Sequence, residues 1–301
     1  MISCSLSGGL GNQLFQIFIT IAFSIKLCRK CVFLYEDFTR GASTIRPTYW
    51  NTFLKPIKYM ATLPYSVSQP TIIKEKHFHY EEMDFAKMRE FEHVNLVGYF
   101  QSYKYFDEYR ETLFKLIRLE DTRAKVMKMY ACLNAHGEKY EQFDEMISMH
   151  FRIGDYIKYP DTHPILPYDY YYNSLLFMQQ KDGFSTISNK NVLYFCEDSN
   201  VEQVNLCIMR LQKEFPETQF QRAPEILEDW QQLLLMSCCK YNIIANSTFS
   251  WFAAYFNAFP DKVICYPSLW FGKRLGGHVT KDLFPPTPMW NKIVADNAIC
   301  C

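Results

Sequence analysis

The sequence predicts an α/β protein of two halves, each a parallel sheet wound with helices, with a cleft between them. Three observations carry that expectation. The chain opens on a β-prone run, a glycine-rich turn and a long apolar helical stretch, "ISCSLSGGLGNQLFQIFITIAFSIKL". From residue 146 onward, short apolar runs alternate with helical segments. Finally, 301 residues is about twice the commonest domain size, which suits two domains or one large α/β domain.

In chain order, "ISCSL" (residues 2–6) and "CVFLY" (31–35) read as strands flanking "NQLFQIFITIAFSIKL". That helix is apolar on nearly all sides, as expected of one packed between a sheet and other elements. Residues 36–96 are mixed in pattern; "VNLVGYF" (94–100) is a buried strand, and the amphipathic "SYKYFDEYRETLFKLIRL" after it reads as helix. A further helical segment lies near 121–145, and "MISMHF" (146–151) restarts the strand pattern. The expected domains are therefore residues 1–145 and 146–301. In the second, strand "ISMHF", helix "PYDYYYNSLLFMQQ", strand "NVLYFC", helices "NVEQVNLCIMRLQKEF" and "EILEDWQQLLLMSCC", strand "YNIIA", helix "TFSWFAAYFNAF" and strand "KVICY" follow one another. The result is a pair of Rossmann-like halves.

Composition excludes several classes of function. With 49% hydrophobic and 21% charged residues, the chain is globular and not disordered. Lys plus Arg equals Asp plus Glu at 32 each, so there is no charge footprint for nucleic acid or an anionic membrane surface. Eleven irregularly spaced cysteines point to reduced thiols in a reducing compartment. "CRKC" at Cys28–Cys31 has no second pair at zinc spacing, so a metal or redox role stands beside ordinary thiols. The adjacent pairs Cys238-Cys239 and Cys300-Cys301 add nothing firmer. The apolar stretch near the start is broken by Gln16, Thr20 and Ser24, lacks a basic n-region and is too short to span a bilayer; no anchor or signal is expected.

Four constellations carry chemistry. "GGLGNQ" fails the dinucleotide fingerprint, because counting from Gly9 puts Gly11 correctly but Leu14 where the third glycine belongs, and no G-K-[ST] follows. What remains is a tight turn permitting close approach, with the amides of Asn12 and Gln13 able to bind hydroxyls, or simply a turn. In "HFRIGDY", His150 and Arg152 share a face of an extended strand, Gly154 lets the chain turn, and Asp155 can fold back onto Arg152. The arginine offers a fork of donors suited to phosphate, and the alternative is a structural Arg-Asp pair with a core histidine. In "IIANSTFSWFAAYF", Ser247, Thr248 and Ser250 are helix caps or, with the N–H groups of the helix start, a phosphate seat. In "LYFCEDSN", the acids Glu197 and Asp198 end a strand, able to accept the paired N–H groups of a guanine edge or to cap the next helix.

Together the motifs "GGLGNQLFQ", "GYFQSYKYF" (98–106), "HFRIGDY", "LPYDYY" (166–171), "NSTFSWFAAY" (246–255) and "VICYPSLWF" (263–271) resemble the α-1,2-fucosyltransferases of glycosyltransferase family 11, within the wider fucosyltransferase superfamily. The resemblance covers nearly the whole chain and keeps the family's order. It implies a GT-B type fold of two Rossmann-like domains, an inverting mechanism, GDP-fucose as donor, a galactose-containing acceptor glycan, and no cofactor or obligatory metal. No D-x-D of the kind that chelates a metal-nucleotide occurs in the sequence.

By the same resemblance Arg152 holds the donor's β-phosphate, His150 and Asp198 lie at the nucleoside end, and Ser247, Thr248, Phe249 and Ser250 wrap the diphosphate. Gly9 and Gly11 let the donor approach, and Asn12 faces the sugar. The second of the family's two consecutive arginines is here Ile153, which strand alternation points away from Arg152, so a secondary contact is lost and not the reacting group. The chemistry needs charge stabilisation at the departing phosphate, assigned to Arg152, and a proton acceptor; Asp155 is the nearest carboxylate in the motif, for that role or for ordering the loop. The acceptor belongs to the first domain, where "GYFQSYKYF" offers rings to stack on a sugar. Other readings are another GDP-sugar, a protein hydroxyl as acceptor, or an inactive sugar-nucleotide or glycan-binding protein, the last suggested by Ile153. Without an anchor, the expected setting is the cytoplasm, as a bacterial or viral enzyme of surface glycan synthesis. A homo-oligomer stays open.

Overall fold

The computed structural model describes residues 1–39, 45–62, 69–133, 143–181 and 190–295. The Cys300-Cys301 pair and part of the helical segment expected near 121–145 lie outside these. The chain divides into two compact units, both of the expected Rossmann-like α/β class. Unit 1 comprises Met1–Thr122 with His278–Pro285, and unit 2 comprises Arg123–Gly277 with Pro286–Cys301.

Unit 1 holds β1 (Ile2–Cys4), α1 (Leu10–Lys26), β2 (Cys31–Leu34), β3 (Ala61–Thr62), β4 (Thr71–Lys74), α2 (Phe85–Glu90), β5 (Val94–Val97) and α3 (Arg110–Leu116). The strands form one parallel sheet in the order β3-β2-β1-β5-β4. As the pattern predicts, α1 is buried on nearly every side, from Leu14 and Phe15 to Ile21 and Phe23. Its buried hydroxyls are satisfied locally: Thr20 Oγ1 donates to the Gln16 carbonyl at 2.6 Å and Ser24 Oγ to the Ile21 carbonyl at 2.7 Å. The single helix expected over 102–119 is instead two short 3-10 turns, Tyr103–Tyr105 and Asp107–Tyr109, followed by α3. Phe106 stands between the turns with φ −142°, and Arg118, left-handed at φ 51°, stops α3 in the usual manner of a helix end.

The expected boundary at 145/146 is corrected to Thr122/Arg123, inside α4 (Leu119–Leu133). The reason is anchoring. Arg123, buried, donates through Nη2 to the Ser237 carbonyl at 3.0 Å and so ties α4 to unit 2. In the other direction, Ser102 Oγ donates to the Asp282 carbonyl at 2.6 Å and Lys104 pairs with the Asp282 carboxylate, which returns residues 278–285 to unit 1.

Unit 2 holds β6 (Ile147–His150), α5 (Tyr168–Lys181), β7 (Asn191–Phe195), α6 (Val201–Glu214), β8 (Gln219–Arg222), α7 (Asp229–Cys238), β9 (Tyr241–Ile243), α8 (Thr248–Phe256), β10 (Val263–Pro267) and β11 (Trp290–Ile293). All strands are parallel, in the order β11-β10-β9-β6-β7-β8. Met149 pairs with Tyr194 on one side and Ile243 on the other, so β6 is central and its apolar residues enter the core with Tyr170, Leu175 and Cys265. The Tyr170 hydroxyl, fully buried, reaches the carbonyls of Ile244 and Cys265 at 2.5 and 3.0 Å, locking α5 beneath β9 and β10. The edge strands β8 and β11 were not expected. α7 starts at Asp229 and not at 225, because Glu228 and Gln231 close a capping box there.

Candidate functional site

In an open parallel sheet a ligand site forms at the carboxyl ends of the strands where the winding direction reverses. Unit 2 winds from β6 through β7 to β8 on one side and from β9 through β10 to β11 on the other. Its reversal therefore lies between β6 and β9, and the loops there begin with His150–Asp155 and Ile244–Thr248. Two of the four sequence constellations are thus brought to one place by topology alone.

Arg152 is the centre of this site. Its guanidinium pairs with the carboxylates of Asp155 and Glu197, and lies over the Tyr156 ring with 4.8 Å to the centroid. Asp155 does fold back onto Arg152 as the turn chemistry predicts. Gly154, at φ +34°, makes the turn and also the space: a Cβ there would stand 2.8 Å from Cδ of Glu197. The Gly154 N–H donates to Asn200 Oδ1 at 3.0 Å, which fastens the β6 loop to the β7 loop. Gly154→Ala is expected to destabilise unit 2 by about 1–2 kcal/mol through the left-handed backbone alone and to drive Glu197 off Arg152; urea unfolding against wild type measures the first. Ile153, the departure from the family's arginine pair, is buried in the core, but β6 ends at His150, so the loop that follows and not strand alternation turns it there.

His150 is buried, its ring 5.6 Å from that of Phe249 and tilted by 45°. Burial, helped by the Arg152 charge, pushes its pKa down to about 3, so the ring is neutral at ordinary pH. Two buried polar atoms of this site, His150 Nδ1 and Asn246 Oδ1, have no hydrogen-bond partner among the described residues. Buried polar atoms are nearly always satisfied, so these two have bonding capacity left for a water or a polar ligand. The Asn246 orientation is fixed, because Nδ2 donates to the Pro164 carbonyl at 2.9 Å and the Trp270 carbonyl at 3.3 Å.

The expected caps of α8 divide in role. Ser247 is the N-cap and accepts from the Phe249 N–H at 3.3 Å. Ser250, fully buried, accepts from the Ala245 N–H at 3.2 Å and holds the β9 loop against the helix, so it is structural. Thr248 and Phe249 are half-buried at the helix start, beside its positive dipole end. Asp198 is not brought to Arg152: it is exposed and pairs with Arg222, which also holds Glu225.

In unit 1 the reversal lies between β1 and β5, and the loops there are the opening glycines and residues 98–102. α1 begins at Leu10, so Gly11 and Asn12 belong to its first turn and only Gly8 and Gly9 to the loop. Gly8 is left-handed at φ +76°, while a Cβ on Gly9 would meet nothing within 4 Å, the open side of the turn. Gln16 Nε2 donates to the Gly98 carbonyl at 2.9 Å and Gln101 Nε2 to Asn12 Oδ1 at 3.0 Å, joining the start of α1 to the 98–102 loop. Gln13 is turned inward, donating to the carbonyls of Gly8 and Pro47. The rings expected to stack on a sugar are mostly core: Phe100, Tyr105 and Phe106 are buried, leaving Tyr99 and Tyr103 at the surface. Sequence reading missed Tyr156, Asn200 and Asn246 as parts of the Arg152 site and gave Glu197 a guanine edge or a helix cap in place of Arg152; Tyr156 and Asn246 fall next to residues it named.

No group of three or more His, Cys, Asp or Glu able to hold a metal occurs among the described residues, and none of their helices is long and apolar enough to cross a membrane. The sequence matches the model of "Glycosyl transferase family 11" over residues 7–266. It is 26% identical to the O-antigen biosynthesis glycosyltransferase WbnK of Escherichia coli, over 94% of this chain and 98% of that one. It is 24% identical to an alpha-1,2-colitosyltransferase of Escherichia coli, over 91% and 93% of the two chains. Among solved structures, a mutant Arabidopsis thaliana FUT1 in complex with GDP is similar at TM-score 0.45 and 12% identity, over 88% of this chain and 69% of that one. A family 9 glycosyl transferase of Veillonella parvula is similar at TM-score 0.36 and 12% identity; the shared region is 59% of this chain and 42% of that one.

Proposed function

Since the chain belongs to glycosyl transferase family 11 and is a glycosyltransferase, we propose that it transfers L-fucose from GDP-fucose to the 2-hydroxyl of a galactoside in a glycan such as an O-antigen, with inversion and without a metal. The observation that carries the reading is Arg152, a fork of donors at the carboxyl end of the central strand, placed on the loop beside the one that starts α8. When the bond from the anomeric carbon to the diphosphate breaks, negative charge gathers on the departing β-phosphate. A guanidinium and a helix N-terminus preorganised there stabilise that charge more in the transition state than in the bound donor. Arg152 already holds two carboxylates, so an arriving diphosphate exchanges with one of them. Glu197 is the more exposed, 46% against 36% for Asp155, and is the one to yield. Asp155 then stays as the carboxylate that orders the loop and the fork.

A second reading keeps this chemistry and changes the donor: the relative named as a colitosyltransferase spans nearly the whole chain, which favours a colitosyl donor as the alternative. The test is GDP release by the purified protein from GDP-fucose, with and without lactose, in EDTA. Lactose-dependent release that survives EDTA supports the proposal. Donor binding without turnover on lactose overturns the galactoside acceptor, and absence of binding overturns GDP-fucose as donor.

A further inference from the structure

We propose that Tyr156 is a positioning residue that sets the Arg152 guanidinium for the departing diphosphate; the inference rests on the reading of Arg152 above. The Arg152 guanidinium lies over the Tyr156 ring, 4.8 Å from its centroid. The phenol O–H donates to the Asn246 carbonyl at 3.1 Å, and Asn246 is itself pinned to the Pro164 and Trp270 carbonyls. The His163 ring stacks on Tyr156 at 4.8 Å with 21° between planes. Burial raises the phenol pKa, so the oxygen keeps its proton and remains the donor in this bond. One side chain thus joins the loop after β6, the loop after β9 and the 163–164 segment, across the reversal point of the sheet.

The carboxylates of Asp155 and Glu197 cannot do all of this work through the reaction: Glu197 leaves Nη1 to the diphosphate, and Asp155 holds the fork at Nη2 alone. Tyr156 is a neutral partner, with the guanidinium carbon over its ring and its phenol anchored on the Asn246 carbonyl, so an anion does not replace it as it replaces a carboxylate. Arg152 can therefore exchange a carboxylate partner while Tyr156 and, through the phenol, Asn246 hold it in place.

The experiment is a double-mutant cycle on GDP release with saturating lactose, using Tyr156→Phe and Tyr156→Leu in wild type and in Arg152→Ala, with melting curves for each. Phe keeps the ring and loses one hydrogen bond, an expected fall in kcat of about 5-fold for about 1 kcal/mol. Leu loses the ring as well, an expected fall of about 10-fold or more. The KM for GDP-fucose is expected to change less than kcat, because the Arg152 contact strengthens as charge develops. In the Arg152→Ala background both substitutions are expected to have no further effect. Equal losses in the two backgrounds, or a Phe variant with wild-type kcat, overturn the inference and make Tyr156 a packing residue. If Leu does not fold, the Phe pair alone decides. If Arg152→Ala leaves kcat unchanged, the reading of Arg152 fails first, and with it this one.

Discussion

Arg152→Ala is expected to lower the rate of GDP release from GDP-fucose by about 10²- to 10³-fold, the usual loss when one preorganised donor to a developing anion is removed. The loss belongs in kcat more than in KM. In the unliganded protein the arginine offsets Asp155 and Glu197, so its removal leaves two carboxylates facing one another and an anion-repelling site. Arg152→Lys separates the two effects: it restores the charge but not the planar fork, and is expected to recover donor binding with little of the rate. Single-turnover measurements on both variants check this, and a lysine variant with the wild-type rate would show that charge alone suffices.

His150 gives the second large effect, on stability. Its pKa in the folded state, about 3, lies below the ordinary value near 6.5. Between those values the unfolded chain binds the proton and the folded one does not. Stability is therefore full above about pH 6.5 and falls as pH drops toward 3, by up to about 1.4 kcal/mol per pH unit from this residue. His150→Phe keeps a ring beside Phe249 and removes the proton site, so its loss of stability between pH 7 and pH 4 is expected to be shallower than that of wild type. Urea unfolding at several pH values gives the two slopes, and parallel slopes would mean that the native ring takes up its proton.

The central strands were legible in the sequence because a parallel strand covered on both faces is a short apolar run, as in β6, β7, β9 and β10. The edge strands were not, because β8 reads "QFQR" and β3 is two residues long, too polar or too short to stand out. In "GYFQSYKYF" the aromatic content was plain, but Phe100 in a core and a ring stacked on a sugar look alike in sequence. Arg152 and Asp155 were legible as a pair three residues apart. Glu197 is 45 residues from its partner, and which of two adjacent acids turns toward Arg152 is settled by the geometry at the end of β7. Tyr156 stood last in the motif that drew attention to Arg152, yet its anchor at Asn246 is 90 residues away.

The return of residues 278–285 to unit 1 bears on how the protein is made. A domain encoded by one continuous stretch can close as soon as it leaves the ribosome. Here Ser102 and Lys104 wait for Asp282, some 180 residues later in synthesis, and the sheet of unit 2 waits for β11. Both halves are thus completed by the same late segment, so a stop codon placed after Gly277 is expected to leave two unfinished domains and not one intact domain with a damaged neighbour.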